Sequence, residues 1–310
     1  MKSKKGKRTA EKFLHDGIVM LEKLTEAQRS FHSDYQTYLA KEREKLLPEI
    51  QQSLWRVRTE NINFEGGRIV ESIFAGDPLN PAGSIIKPPG GRFNFGPISS
   101  FFTRFPGLYC ASNYETAFAE KFQRRSNESE GDAFSGSEFS LCEPGSFSYN
   151  RVGVFMETVL DLRDSEKLVP FCEVIGKIHP SREIGGNWKK RFKTKKPLTT
   201  IKSVDQLVSS IFQSDYQQWP TWIDQPSNSQ WLGLYAIKAG IDAIIFPSCR
   251  NESGYNVVVF PERIGKQSKT YVKLLDETPT VPKDRRIVDS RSAPGFVSNS
   301  FEMANALQPN

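Results

Sequence analysis

The chain is poor in the residues that build metal and nucleophile sites. Its 310 residues include three histidines, His15, His32 and His179, all far apart, and four cysteines, Cys110, Cys142, Cys172 and Cys249, with no CxxC pair. That spacing argues against a zinc site, and no histidine stands in a motif that would activate a serine, so a Ser-His-Asp hydrolase is disfavoured. Neither GxGxxG nor a Walker P-loop occurs, so neither a Rossmann domain nor a P-loop ATPase is indicated. No apolar run reaches the roughly 18 residues of a membrane helix, and Phe13 to Leu21 is broken by His15 and Asp16 before a signal-peptide core can develop. The expectation is a soluble, cytoplasmic protein with free thiols and no bound metal or cofactor.

Charge is ordinary in amount and uneven in placement. The formal net charge is +6 with a pI near 9.0, and the excess is local: Lys2, Lys4, Lys5, Lys7 and Arg8 open the chain, and Lys189 to Lys196 form a second cluster. Such runs read as solvated faces or mobile arms before they read as a polyanion site, so nucleic acid is not expected as a partner.

From about Thr9 to Gln51, apolar residues recur at helical intervals among many charges, giving one or two amphipathic helices, with Pro48 at or after a boundary. Residues 1–50 are thus read as a basic helical extension, which either packs on the rest of the chain or serves partner binding or self-association. Leu54-Trp55-Arg56-Val57-Arg58 alternates like a first strand, and a loop rich in proline and glycine follows, from Pro78 to Gly91. Leu108-Tyr109-Cys110-Ala111 is a short strand. Ser112, with Glu115 three residues later, forms a capping box for a helix from Asn113 to about Phe122. Ser126 to Ser148 is a surface excursion, and Val152 to Leu162 a strand. Helices are predicted around Val204 to Phe212 and from Trp231 to Ala239, the second ended by Gly240. Ile241 to Phe246 and Asn256 to Phe260 pair as a hairpin. Periodicity fades after Glu277, so residues 276–310 are read as a disordered tail.

Three places carry the chemistry-bearing types. Gly90-Gly91-Arg92-Phe93-Asn94 sets a guanidinium beside glycines that let backbone approach a ligand, or is simply a turn whose arginine pairs with a carboxylate. Glu120 lies beyond the first turn of its helix, where acids merely complement the dipole; the bland reading is a solvated surface acid. Ile244-Ile245-Phe246-Pro247-Ser248 delivers a serine to a strand end, as a hydrogen-bonding group rather than a nucleophile, or as a turn residue.

Together these pieces resemble the RES-domain family, in the order Leu54-Trp55-Arg56-Val57, Gly90 to Asn94, Gly107 to Ser112 running into Thr116 to Glu120, and Gly240 to Ser248 with Asn256 to Phe260. The resemblance covers residues 51–275. It implies an α/β (α+β) catalytic domain, compact and ADP-ribosyltransferase-like, with short sheets and flanking helices. The implied activity cleaves the nicotinamide–ribose bond of NAD⁺, a substrate rather than a cofactor, by hydrolysis or phosphorolysis, and the implied setting is a bacterial toxin silenced by an antitoxin. Carried over, the catalytic residues are Glu120, Arg56 and Tyr109, and the substrate-binding ones Arg92, Ser248 and Asn94. Phe93 stands where the family commonly has Trp, and Gly96-Pro97 departs from the usual Pro or Ser.

The residue types fit that chemistry on their own terms. A carboxylate can stabilise an oxocarbenium-like ribose, arginines a diphosphate, and a tyrosine can stack on a planar ring while its hydroxyl holds a ribose or phosphate oxygen. Two other readings stay open: transfer of ADP-ribose to a macromolecule, made less attractive by Phe118 in place of the first acid of a Glu-x-Glu pair, and a non-catalytic polyanion binder.

Overall fold

The computed structural model describes residues 26–98, 102–122, 147–198, 200–213, 216, 217, 220, 223–277 and 279–307. The expected surface excursion falls mostly outside the described residues; its last residue, Ser148, is already in a strand. Two consecutive helices open the described chain, α1 over residues 26–45 and α2 over Leu47–Arg56. Pro48 sits in the first turn of α2, where a missing N–H leaves no bond unmade. The predicted strand at Leu54–Arg58 is therefore wrong. Ile50, Ser53 and Leu54 share one buried helical face, a period of three to four that overrides the short alternation of Leu54 to Arg58.

The remaining elements, in chain order, are β1 (Thr59–Glu71), β2 (Leu108–Ala111), α3 (Tyr114–Phe122), β3 (Phe147–Asp161), α4 (Val169–Ile175), α5 (Arg182–Arg191), α6 (Val204–Ile211), α7 (Asn228–Lys238), β4 (Ala243–Pro247), β5 (Tyr255–Val259), β6 (Tyr271–Leu274), β7 (Ile287–Val288) and α8 (Ala293–Leu307). This is a mixed α/β fold. The sheet runs β1-β2-β5-β4-β3-β6-β7, and β1 also pairs antiparallel along β3, from Thr59 opposite Val159 to Glu71 opposite Phe147. Five strands thereby close into a ring, with β6 and β7 as an annex on β3. The predicted hairpin forms, with Ile245 opposite Val257, and the predicted α6 and α7 helices form as well.

Strand alternation sends the two faces of the hairpin into different cores. Ile244, Phe246, Val258 and Phe260 join the core under α2, α4, α6 and α7, whereas Ala243, Ile245, Val257 and Val259 join the one closed by α8. Burial on both faces makes β4 and β5 near-continuous hydrophobic runs. Their ends are fixed points on which a site can be built.

The C-terminal stretch is not a disordered tail. Val288 in β7 lies opposite Val272 in β6, and α8 buries Ala293, Phe296, Ser300 and Ala304 along one stripe. Burying Phe296 alone contributes roughly 1.5–3 kcal/mol, and the Ser300 hydroxyl is satisfied by the carbonyl of Val297 at 2.7 Å. Among the described residues, no helix is long and apolar enough to cross a membrane.

Candidate active site

Arg92, Tyr109 and Glu120 line one cleft of about 220 Å³, with Arg68, Lys121 and Arg250 also in its walls. Two constructions meet there, a backbone loop on one side and a strand-end cluster on the other.

The loop is residues 89–96. Gly90 has φ +98, and a Cβ on it would stand 2.3 Å from the Gly96 nitrogen, so this turn admits only glycine. Asn94 is fully buried and holds the turn from inside. Its Oδ1 accepts from the Gly91 N–H at 3.1 Å and the Tyr109 hydroxyl at 2.9 Å, while its Nδ2 donates to the carbonyls of Ser84 and Phe105 at 2.9 and 3.1 Å. The Tyr109 hydroxyl in turn accepts from the Phe93 N–H at 2.9 Å. The loop rests on α7. Gln230 donates from Nε2 to the carbonyls of Pro89, Gly91 and Asn94 at 2.9–3.2 Å, and a Cβ on Gly233 would lie 1.9 Å from the Phe93 carbonyl oxygen. Arg92 leaves this loop to cross the cleft wall. Its Nη1 donates to the carbonyls of Ile211 and Gln213, both at 2.9 Å, and its guanidinium lies 4.5 Å from the ring centre of Tyr216.

The opposite wall is centred on Glu120. Asn113, not Ser112, caps α3: its Oδ1 accepts from the Thr116 N–H at 2.8 Å, whereas Ser112 turns to the Tyr255 N–H at 3.2 Å. The cap thus falls one residue later than the sequence suggests. Glu120 lies two turns into α3, facing the ends of β4 and β5. Its Oε1 accepts from the Ser248 hydroxyl at 2.6 Å, the Asn256 amide at 3.0 Å and the Cys249 N–H at 3.2 Å. Ser248 is itself held, accepting from the N–H groups of Arg250 and Asn251 at 3.1 and 3.0 Å, and Asn251 ties the turn to α3 through Thr116 at 2.9 Å. Ser248 thus fixes the carboxyl group of Glu120 from behind.

The RES domain profile matches residues 53–194 and 192–282, which together take in β1 to β6 and both walls of this cleft. The chain belongs to the RES domain family. No curated protein is similar to it. Among solved structures, the Mycobacterium tuberculosis MbcT–MbcA toxin–antitoxin complex is similar at a TM-score of 0.39 and 12% identity, over 81% of this chain and 97% of that one.

Within this RES domain, Arg56 stands apart from the other residues singled out by sequence. It is exposed at the end of α2, where Gln51 donates to the Lys238 carbonyl at 2.6 Å and the Trp55 ring lies beside Gly240. That is the entry to β4, and Ser248 follows its exit. Arg68 on β1, by contrast, joins Arg92 and Arg250 in the cleft wall, donating to the carbonyls of Pro78, Tyr109 and Asn80 at 2.9, 2.7 and 3.1 Å. The Tyr109 hydroxyl bonds to the Arg92 loop, donating to Asn94 and accepting from the Phe93 N–H, while the residue lines the cavity. Asn94, likewise, spends both ends of its side-chain amide on protein groups.

Burial sets the electrostatics of this RES cleft. It raises the Tyr109 hydroxyl above its ordinary range, with Tyr216 adding to the effect, and it raises Tyr216 itself against the opposing charge of Arg92. Burial pushes the Cys110 thiol up to about 12 and raises that of Cys249. It lowers Arg68, partly offset by Cys110 and Asp77. At the rim, burial works against the charge of Glu71, but the hydrogen bond and charge of Lys121, at 2.9 Å, hold its carboxyl below the usual range. Tyrosines and thiols are therefore neutral near pH 7, and among the described residues the cleft presents one carboxyl group amid basic side chains. Arg68, Tyr216 and Gln230 escaped the sequence reading: no local pattern marks the first two, and the role of Gln230 in the α7 capping box masks its contact with the loop.

Proposed function

We propose that this chain cleaves the nicotinamide–ribose bond of NAD⁺, by hydrolysis or phosphorolysis, and that it acts as a toxin restrained by an antitoxin. The observation that carries this reading is the Glu120 carboxyl group, oriented by three donors inside a cleft whose walls also hold Arg68, Arg92, Arg250 and Lys121. Breaking the bond from ribose C1′ to the nicotinamide nitrogen sends the electron pair to the ring, which leaves neutral, and places positive charge on the ribose. A carboxylate fixed beside that charge stabilises it without reorganising at the moment of reaction. Water or inorganic phosphate then adds to C1′. Basic side chains suit the diphosphate, and the faces of Tyr109 and Tyr216 suit planar rings. Arg56 has no part in this arrangement.

The test is product identification. Purified protein with NAD⁺ is expected to release nicotinamide with no protein acceptor present. Free ADP-ribose as co-product identifies hydrolysis, and a phosphorylated ADP-ribose formed only with added phosphate identifies phosphorolysis. Nicotinamide release only in the presence of a protein acceptor would replace this reading by macromolecular transfer.

A further inference from the structure

A second cavity, of about 170 Å³, lies away from the cleft, between α1, α4, the start of α7 and residues 200 and 201. We infer that it is a binding site for a small organic monocarboxylate. The inference does not depend on the NAD⁺ reading.

Its one charged lining group is Arg43, which is 6% exposed. Arg43 Nη2 donates to the Asn228 side-chain oxygen at 3.1 Å, while its Nη1 is buried without a hydrogen-bond partner. No ion pair among the described residues includes it. The neighbouring hydroxyls of Tyr35 and Tyr235 are raised by burial against the charge of Arg43, and Tyr235 also shares a hydrogen bond with that guanidinium, but neither supplies negative charge. A buried guanidinium with an unmet donor and no counter-ion calls for an anion, because isolated buried charge is costly. Gln36, 7% exposed and in the same wall, leaves its Oε1 unpartnered. A half-turn of its amide offers an N–H instead, since the two ends of the group are interchangeable in shape. Arg43 and Gln36 thus put into one cavity wall two groups that the two oxygens of a carboxylate can meet.

The other walls set the rest of the ligand. Leu39, Ile175, Ile178 and Ile201 are apolar, which suits a hydrocarbon body and disfavours a bare inorganic anion. A dry cavity of about 150 Å³ accepts benzene, so the volume here admits one six-membered ring bearing a carboxylate. A single fixed charge in the wall matches a single charge on the ligand.

Calorimetric titration of the full chain with benzoate, benzamide and inorganic phosphate tests the site. The expected result is saturable one-to-one binding of benzoate, weaker binding of benzamide, none of phosphate, and no change in Glu120→Gln. Arg43→Gln should weaken benzoate by about tenfold or more, the worth of a charge-assisted hydrogen bond. Gln36→Leu, which leaves the buried charge in place, should weaken it by roughly the severalfold of one neutral bond, and it decides the matter if Arg43→Gln does not fold. Absence of saturable benzoate binding, equal binding of benzamide, or binding that survives both cavity variants but is lost in Glu120→Gln would overturn the assignment.

Discussion

On one wall of the cleft, the amide of Asn94, the hydroxyl of Tyr109 and the amide of Gln230 all turn to the backbone of residues 89–94. On the other, the hydroxyl of Ser248, the amide of Asn256 and the Cys249 N–H all turn to one carboxyl oxygen of Glu120. The residue types are alike and their uses differ. Polar groups that satisfy backbone carry the shape of the site, and their loss is felt in stability. Polar groups that converge on a carboxyl group position chemistry, and loss of that carboxyl is felt in turnover.

Mutants can break this contrast. Glu120→Gln keeps the volume and removes the charge; it is expected to lower NAD⁺ turnover by about 10³-fold, near 4 kcal/mol of barrier, with its melting temperature little changed. Asn94→Ala strands the Gly91 N–H and two carbonyls in the interior, so chemical denaturation should show a loss of about 2–4 kcal/mol. If its turnover per folded molecule fell as far as that of Glu120→Gln, the two walls would not be distinct in kind. Tyr109→Phe sharpens the point, because it removes the hydroxyl and keeps the ring: stability should fall by about 1–2 kcal/mol in urea titration while the rate at saturating NAD⁺ changes little.

Smaller effects lie at the rim and beyond it. Lys121 depresses the Glu71 carboxyl, so the pair stabilises the fold above the ordinary carboxylate range and that contribution disappears as pH falls through the lowered folded-state value. Both side chains are partly exposed and solvent screens them, so Glu71→Gln should cost only about a few tenths of a kcal/mol at neutral pH and nothing in acid. Arg56→Ala should leave nicotinamide release unchanged and stability within about 0.5 kcal/mol, as for other exposed positions. A large loss of activity there would bring the end of α2 into the mechanism.

Much of this was legible in the sequence where local signals agree with tertiary ones. The hairpin of β4 and β5 is two apolar runs around a turn, and α7 carries both its cap and its terminating Gly240. Glu120 was legible because its place in α3 is a matter of counting from a polar cap, even though the cap proved to be Asn113. Failures came where burial is made by small or polar residues. The buried stripe of α8 is Ala293, Phe296, Ser300 and Ala304, whose single large apolar side chain gives little periodic signal. Leu54 to Arg58 alternates over too few residues to separate strand from helix. Arg68 was hidden because β1, charged and glycine-bearing, is held by its long pairing with β3, a contact between segments some 80 residues apart in the chain. Asn94 and Tyr109 were found without the groups that hold their side chains, since sequence shows a hydrogen-bonding group and not the partner that occupies it.

The most direct test follows nicotinamide release from NAD⁺ and the thermal midpoint on matched preparations of wild type, Glu120→Gln and Gln230→Ala. The expected result is an active wild type, a Glu120→Gln chain that melts normally and scarcely turns over, and a Gln230→Ala chain that melts early yet retains turnover per folded molecule. A wild type that releases no nicotinamide, or a Glu120→Gln chain that releases it at the wild-type rate, would contradict the assignment of this cleft.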